Sequence, residues 1–203
     1  MSEVKRIGLF GGSFNPIHNG HIHLAKSLRE ELCLDTVYLI PAKIPPHKSG
    51  SELASPVHRL NMCRLAAAEN KGFEVSDYEL CSERISYSLY TVRHFAEKEK
   101  NAEITLFVGS DMLLCFDKWF GFEQLLSMTR LAVASRNPDD YGLLSDCADR
   151  LTRDFGAQIY ISNAKAYPVS STVIRQLIKK QENFSCYLPE SVVQYVIEHN
   201  LYL

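Results

Sequence analysis

A short apolar run that ends in two glycines constrains the fold of this chain more than any other feature. The run is Val4–Phe10, and Gly11 and Gly12 follow it directly. A helical pattern begins at Asn19, with apolar residues recurring on one face at Leu24, Ala25, Leu28 and Leu32. These patterns predict a buried strand, a loop and an amphipathic helix, in that order.

Apolar runs and helical patterns alternate along the rest of the chain. We predict further strands at Asp35–Ile40, Phe73–Asp77, Ile104–Val108, Arg130–Ala134 and Gln158–Ile161. We predict further helices at Pro56–Glu69, around Leu89–Ala96, at Ser171–Lys180 and at Pro189–His199. The alternation predicts an α/β fold, an open parallel sheet with helices on both faces. Pro41–Pro56 carries four prolines and reads as a long loop. No linker divides the pattern, so we expect a single domain over residues 1–203.

Charge and cysteine usage narrow the class of protein. The formal net charge is −2 over 203 residues, so no global basic field attracts nucleic acid. No segment resembles a signal peptide or approaches the length of a membrane span. The six cysteines are scattered without a C-x-x-C pair, which argues against a zinc site or a disulfide framework. We therefore expect a cytoplasmic protein with no nucleic-acid or membrane partner.

The first loop carries more chemistry than a turn requires. Gly11, Gly12 and Ser13 occupy the place where open parallel sheets bind ligands, beyond the carboxyl end of a strand. Glycines let a phosphate approach the backbone, and a helix N-terminus offers unpaired N–H donors. His18 and His21 are three residues apart, so both can lean to one side at a helix start. A tight turn with surface histidines is the alternative, but the coincidence of these features favours a phosphate site. The loop matches neither the Walker motif nor the dinucleotide motif.

A second candidate phosphate site lies near the end of the chain, in Val169–Arg175. Ser170 is a good N-cap for the helix that follows. Ser171, Thr172 and Arg175 share one helical face, where two hydroxyls, unpaired N–H groups and a guanidinium would suit a phosphate. From these residues alone, a simple capped helix is an equally good interpretation.

Both stretches match signatures of one superfamily. The stretch GGSFNPIHNGH resembles the first signature of the nucleotidyltransferases, with His18-Asn19-Gly20-His21 as its H-x-G-H element. The stretch VSSTVIR is similar to the second signature, I-S-S-T-x-I-R. Asn15 departs from the family, which usually has Asp there. The resemblance implies the Rossmann-like nucleotidyltransferase fold and a triphosphate between the two signatures. The catalytic residues that it implies are His18, His21 and Arg175.

Three further stretches indicate the acceptor. IPAKIPPHKS (residues 40–49), ISYSLYTV (85–92) and FVGSDMLLCFDKWF (107–120) resemble the bacterial nicotinate-nucleotide adenylyltransferase family. Ala42 and Ser88 depart from it, since the family has Asn and Thr there. The resemblance extends to the final helix and covers nearly the whole chain. It implies transfer of AMP from ATP to nicotinate mononucleotide, which gives deamido-NAD and pyrophosphate in NAD biosynthesis.

The resemblance also implies which residues bind the two substrates. Those expected at ATP are Gly11, Ser13, Phe14, His18, His21, Gly109, Asp111, Arg136, Ser171, Thr172 and Arg175. Those expected at nicotinate mononucleotide are Gly12, Ser13, Lys48, Ser88, Trp119 and Phe120. Asp111 could accept hydrogen bonds from ribose hydroxyls, or could simply be an N-cap. We interpret Lys43 as a solvated loop residue.

The chemistry of the pyridine ring supports these assignments. Trp119 and Phe120 could form a flat apolar wall for the ring, although core packing explains Trp119 equally well. Ser88 begins a predicted helix, so its N–H could bind the carboxylate of nicotinate.

Other readings stay open. The resemblance implies Mg²⁺ held mainly through the ATP phosphates, with no metal site built from protein side chains. A related adenylyltransferase would act on nicotinamide mononucleotide or phosphopantetheine, and a cytidylyltransferase would transfer CMP. A non-catalytic nucleotide sensor would bind ATP without turnover. The sequence is compatible with a homo-oligomer.

Overall fold

The computed structural model describes residues 4–43, 53–134, 140–164 and 167–203. Within these ranges six strands form one parallel sheet in the order β3-β2-β1-β4-β5-β6. The strands are β1 (Arg6–Gly12), β2 (Thr36–Pro41), β3 (Phe73–Val75), β4 (Glu103–Gly109), β5 (Arg130–Ala134) and β6 (Gln158–Ser162). The register places Ile7 opposite Ile104 and Leu106 opposite Leu131. The prediction of an α/β fold built on a parallel sheet is confirmed.

The described residues also contain nine α-helices and two short 3-10 helices. The α-helices are α1 (Asn19–Glu31), α2 (Pro56–Ala68), α3 (Tyr78–Cys81), α4 (Ser88–Lys98), α5 (Ser110–Leu113), α6 (Phe122–Met128), α7 (Tyr141–Phe155), α8 (Ser171–Lys179) and α9 (Glu190–Glu198). The 3-10 helices are Phe116–Lys118 and Ser185–Tyr187. The helices predicted from apolar spacing are all present, with ends that differ by one or two residues.

The first strand was predicted to stop at the two glycines, and that boundary is wrong. β1 continues through Gly11 and Gly12, because the Gly12 carbonyl accepts a hydrogen bond from the Ala42 N–H at 2.9 Å. Backbone pairing therefore carries the strand past its apolar residues. The phosphate-type loop begins at Ser13, two residues later than the sequence indicates.

Four helices were not predicted from the sequence. Three of them, α3, α5 and α6, have four to seven residues, which is too short for helical periodicity to show. The fourth, α7, does carry a helical signal, because its buried face consists of Leu144, Cys147, Ala148 and Leu151. The polar residues between these positions make the helical period hard to recognise from the sequence.

The chain divides into two compact units. The first consists of Met1–Phe10, Leu24–Tyr38 and Tyr87–Ala166, and its core includes the fully buried Leu28, Phe95 and Leu131. The second consists of Gly11–His23, Leu39–Ser86 and Tyr167–Leu203, and its core includes the fully buried Ile17, Met62 and Val192. The single domain over residues 1–203 stays a prediction.

Three further sequence predictions concern membrane spans, the cysteines and the long loop after β2. Within the described residues, no helix is both long and apolar enough to cross a membrane. All six cysteines are present as thiols. Most of the long loop predicted between Pro41 and Pro56 lies outside the described residues.

Candidate functional site

Two stacked histidines stand at the start of α1, in the second unit. The rings of His18 and His21 lie 3.6 Å apart at an interplanar angle of 27°. The His18 N–H donates to Nδ1 of His21 at 3.2 Å, and the His21 N–H donates to Nδ1 of His18 at 3.3 Å. With Nδ1 accepting, each neutral ring carries its proton on Nε2. The pair therefore offers two Nε2–H donors held together, as the three-residue spacing predicts, while the ring of His23 lies against Tyr167 instead.

The glycine at position 20 makes room for this arrangement. A Cβ added to Gly20 would lie 3.0 Å from Nδ1 of His18 and 3.1 Å from a methyl carbon of Val169. Both approaches are tighter than ordinary van der Waals contact. The small residue between the two histidines therefore has a packing reason in this structure.

Gly11 and Gly12, the two glycines that end β1, differ in their surroundings. A Cβ at Gly12 would meet the ring of Phe14 at 3.1 Å, so packing explains that glycine. A Cβ at Gly11 would meet no atom of the described residues within 4 Å. Phe14 is buried, adopts a left-handed φ of 44° and packs its ring against the edge of His21 at 5.2 Å. Its ring supports the histidine pair rather than facing solvent.

Helix α8 joins the second motif to the first. Ser170 caps the helix as predicted, because its side chain accepts a hydrogen bond from the Val173 N–H at 3.3 Å. The Ser171 hydroxyl donates to the Pro16 carbonyl at 2.9 Å. The Arg175 guanidinium donates to the Asn15 carbonyl at 3.0 Å. Thr172, the third residue of the predicted cluster, is exposed. Two motifs that are about 150 residues apart in sequence thus share direct hydrogen bonds.

A buried network that the sequence analysis did not identify supports the same loop. Asn15 is 4% exposed, and its Oδ1 accepts hydrogen bonds from the Ala54 N–H and the Tyr202 hydroxyl, both at 2.9 Å. Arg59, on α2, is 1% exposed and donates to the Ser13 carbonyl at 2.8 Å and to the Ala54 carbonyl at 3.1 Å. The side chains of Asn15 and Arg59 therefore help to fix the course of the loop.

The remaining predicted residues that the structure describes lie in the first unit. Gly109 ends β4 and is the N-cap of α5, so Asp111 is not the cap but an exposed residue in the first turn. Ser88 is the first residue of α4, as predicted, and its N–H has no acceptor within that helix.

The two aromatic residues of the predicted pyridine wall have different partners. Trp119 stacks on the buried Phe116 at 4.9 Å, whereas Phe120 is about half exposed and stacks on Tyr87 at 4.8 Å. The buried indole Nε1 of Trp119 has no hydrogen-bond partner among the described residues. A buried N–H without an acceptor is costly, so this atom is a candidate donor to a ligand.

Two predicted site residues, Lys48 and Arg136, lie outside the described residues. Lys43 is described, and the expectation that it is simply solvated is wrong. Its ammonium group donates to the Ser82 carbonyl at 2.7 Å, and its backbone N–H donates to the Ser86 hydroxyl at 3.1 Å. Lys43 therefore anchors the start of the long loop to the segment before α4.

The chain matches the cytidylyltransferase-like family over residues 9–177. It is 35% identical to a Clostridium novyi protein named "Probable nicotinate-nucleotide adenylyltransferase", with 98% of this chain and 100% of that protein covered. A Neisseria meningitidis serogroup C protein of the same name is 37% identical, with 98% and 99% covered.

Among solved structures, the Plasmodium falciparum nicotinic acid mononucleotide adenylyltransferase complexed with NaAD superposes with a TM-score of 0.77 at 20% identity. That match covers 98% of this chain and 97% of the other. The structural likeness confirms the fold, and the sequence matches establish the family. The chain therefore belongs to the cytidylyltransferase-like family and, within it, to the nicotinate-nucleotide adenylyltransferases.

Proposed function

We propose that this protein transfers the AMP moiety of ATP to nicotinate mononucleotide, giving deamido-NAD and pyrophosphate in NAD biosynthesis. The observation that carries the proposal is the direct hydrogen bonding between the two motifs. Arg175 and Ser171 on α8 bond to the backbone at Asn15 and Pro16, next to the stacked His18 and His21. Family membership and the names of the relatives support the choice of reaction.

The triphosphate of ATP is the ligand that suits this group of residues. The paired imidazoles offer Nε2–H donors, and the first turn of α8 offers backbone N–H groups beside the Arg175 guanidinium. We assign His18 and His21 to the phosphates, and Ser171, Thr172 and Arg175 to the β and γ end. Gly11 leaves the backbone open to a phosphate, and Ser13 follows it.

The reaction needs positioning and charge stabilisation rather than a general base. An oxygen of the 5′-phosphate of the mononucleotide, already ionised at neutral pH, attacks the α-phosphorus of ATP. A P–O bond forms there, the bond from the α-phosphorus to the bridging oxygen breaks, and pyrophosphate leaves with the electron pair. Donors that are fixed beforehand around the phosphates stabilise the charge that develops. Neutral histidines that donate from Nε2 suit that task.

For the nicotinate half we assign Gly12, Ser13, Lys48, Ser88, Trp119 and Phe120. Three observations in the first unit support the assignment. The Ser88 N–H at the start of α4 can receive a carboxylate, the Trp119 Nε1–H is a buried donor with no acceptor in the part of the chain that the structure describes, and Phe120 exposes an aromatic face. For ATP, we assign Gly109, Asp111 and Arg136 by the same resemblance, with Asp111 at the ribose.

Mg²⁺ would enter with ATP, held by its phosphates and by water, and would offset their negative charge. Within the described ranges, no three His, Cys, Asp or Glu side chains are grouped so that they could hold a metal ion. The donors around the first loop are imidazoles, hydroxyls and guanidiniums, which suit phosphates rather than a cation. A cytoplasmic location and a homo-oligomer remain predictions of the sequence.

Pyrophosphate release from ATP tests the proposal directly. The purified protein is assayed with nicotinate mononucleotide, nicotinamide mononucleotide and phosphopantetheine in parallel, each with ATP or CTP as donor. We expect release with ATP, and fastest release with nicotinate mononucleotide. Faster release with another acceptor or with CTP would favour the related transferases, and ATP binding without release would favour a nucleotide sensor.

A further inference from the structure

A buried positive charge lies directly below the first loop. Arg59 is 1% exposed, and its guanidinium donates to the carbonyls of Ser13 and Ala54. Both acceptors are neutral. Burial lowers the pKa of the Arg59 guanidinium, but an arginine stays charged at neutral pH.

Within the described ranges, no carboxylate compensates the charge of Arg59. Among the described residues, Arg59 forms no ion pair, and the titratable groups that face it are Cys63 and Tyr202. Burial raises the pKa of the Cys63 thiol and of the Tyr202 phenol, so both are neutral at physiological pH. A buried charge without a counterion is unusual, because leaving it uncompensated costs folding free energy.

The charge lies close to the candidate phosphate site. Arg59 holds the Ser13 carbonyl, and Arg175 holds the Asn15 carbonyl two residues later. Both guanidiniums interact electrostatically with the Tyr202 phenol, and the phenol donates a hydrogen bond to Oδ1 of Asn15. Two cationic side chains thus flank one short turn. A neutral donor such as glutamine could bond to the Ser13 carbonyl without bringing a buried charge, so the carbonyl alone does not explain an arginine here.

We propose that Arg59 is a positioning residue of the phosphate site, which fixes the Ser13 carbonyl and keeps a permanent positive charge beneath the loop. The ligand that offsets this charge is a polyphosphate on the loop, without direct contact to Arg59. This inference rests on the proposed function, because it takes the triphosphate of ATP as the natural ligand.

Inorganic triphosphate is the probe, since its binding requires neither an acceptor nor turnover. Calorimetry compares the wild type with Arg59→Gln, which keeps a donor but removes the charge, and Arg59→Lys, which keeps the charge. Arg64→Gln is the matched control, because Arg64 lies on the same helix but is exposed and pairs with Asp77 at 3.8 Å. We expect the Kd for triphosphate to rise about tenfold or more in Arg59→Gln and to stay within about threefold in Arg59→Lys and Arg64→Gln.

Asn15→Asp tests the same idea without touching Arg59, and it serves if Arg59→Gln does not fold. The substitution installs the residue that the family usually has at this position. It keeps the shape of the side chain and its acceptor oxygen but adds a carboxylate beside the cationic cluster. We expect a higher Tm without anions and a weaker triphosphate affinity, by about threefold or more. A purely structural role for Arg59 would change the Tm of these variants and leave the Kd of the folded proteins unchanged.

The inference is overturned if folded Arg59→Gln or Asn15→Asp binds triphosphate as tightly as the wild type, or if the wild type does not bind it. Pyrophosphate release with nicotinate mononucleotide is measured separately on the same preparations. A wild type that binds triphosphate in an Arg59-dependent manner but releases no pyrophosphate would contradict the proposed function alone.

Discussion

The backbone N–H of His21 donates to Nδ1 of His18, and the backbone N–H of His18 donates to Nδ1 of His21. The two bonds fix both rings in one stacked arrangement, 3.6 Å apart. They also fix the tautomer of each neutral ring, because an accepting Nδ1 leaves the proton on Nε2. A helix start therefore orients two hydrogen-bond donors at once.

Replacing His21 by alanine should remove one of these donors and loosen the other. We expect the His21→Ala variant to lose about 3 kcal/mol of transition-state stabilisation, a loss in kcat of about a hundredfold. The Tm should stay near that of the wild type, because His21 is only half-buried. His23→Ala, which changes an exposed ring on another face of the same helix, is the control. A His21→Ala enzyme with wild-type kcat would contradict the assignment.

Gly11 allows a test that separates ligand approach from packing. A Cβ there would meet no atom within 4 Å in the described ranges, so Gly11→Ala should fold normally. If a phosphate approaches this backbone, the added methyl group should raise the KM for ATP about tenfold, and the KM for the mononucleotide less. Gly142→Ala, in helix α7 and equally open, is the control and should leave both KM values unchanged. An unchanged KM for ATP in Gly11→Ala would place the triphosphate elsewhere.

Arg175→Lys keeps the charge on α8 but removes the planar fork. In the structure one nitrogen of this guanidinium already holds the Asn15 carbonyl, so a lysine cannot both keep that bond and bind phosphate in a bidentate manner. We expect the KM for ATP to rise about tenfold, while the KM for the mononucleotide changes little. Steady-state kinetics with each substrate varied in turn provides the measurement. Lys180→Arg, just beyond the same helix, is the control, and equal effects on the two substrates would count against a role at the ATP end.

Ser88→Pro tests the origin of the preference for nicotinate. Proline is well tolerated at the first residue of a helix, and Tyr87 before it is already extended, with φ −82° and ψ 129°. The variant should therefore fold but lack the backbone N–H. We expect kcat/KM for nicotinate mononucleotide to fall about tenfold, with that for nicotinamide mononucleotide unchanged.

Trp119→Ala is the companion variant for Ser88→Pro. It should weaken the binding of both mononucleotides, because the pyridine ring of each would pack against the indole ring of Trp119. A folded Ser88→Pro enzyme that keeps the wild-type preference for nicotinate would refute the role of this N–H.

The free energy of unfolding should depend on pH through Glu99, which lies in the first unit. The Lys5 ammonium and the Tyr38 hydroxyl donate to the Glu99 carboxylate at 2.9 and 2.8 Å and hold the pKa of Glu99 below its usual value. A lowered pKa means that the stabilisation is present above the usual value and is lost as the pH falls through the lowered one. Glu99→Gln should therefore reduce the free energy of unfolding by about 1 kcal/mol at neutral pH.

Denaturant unfolding across a pH series measures this difference. It should shrink as the pH falls below the ordinary range of a glutamate and through the lowered pKa of Glu99, below which both proteins are uncharged at this position. Glu103→Gln, at an exposed residue, should change stability little at any pH. A Glu99→Gln difference that stays constant into strongly acidic solution would show that the hydrogen bonds, rather than the charge, are responsible.

The parts of the site that could be predicted are those built from residues close in sequence. The spacing of His18 and His21 at a helix start predicts that both rings lean to one side, and Ser170 predicts the start of α8. Arg59 could not be predicted, because an arginine within PVHRLNMC reads as an exposed helical residue. Its burial depends on Ser13 and Tyr202, which lie 46 and 143 residues away in sequence and reach it only through the tertiary fold.

The predicted end of β1 is wrong for the same reason, because the true end depends on a contact between segments that are distant in sequence. Two glycines often interrupt a strand, but here the bond from the Ala42 N–H to the Gly12 carbonyl helps to keep them in the sheet. That bond joins segments 30 residues apart, so no local pattern reports it. The shortest helices were missed for a related reason, since a single turn carries too few residues to show a period.

Ser171 and Arg175 form hydrogen bonds to Pro16 and Asn15, so the candidate site is complete only when both parts have been synthesised. A ribosome makes the first loop about 150 residues before it makes α8. Until α8 has been made, the loop exists without the helix that holds its backbone, and a nascent chain that ends before α8 has half of a phosphate site. Nucleotide binding at this site should therefore begin only after α8 has been synthesised and has folded back onto the first loop.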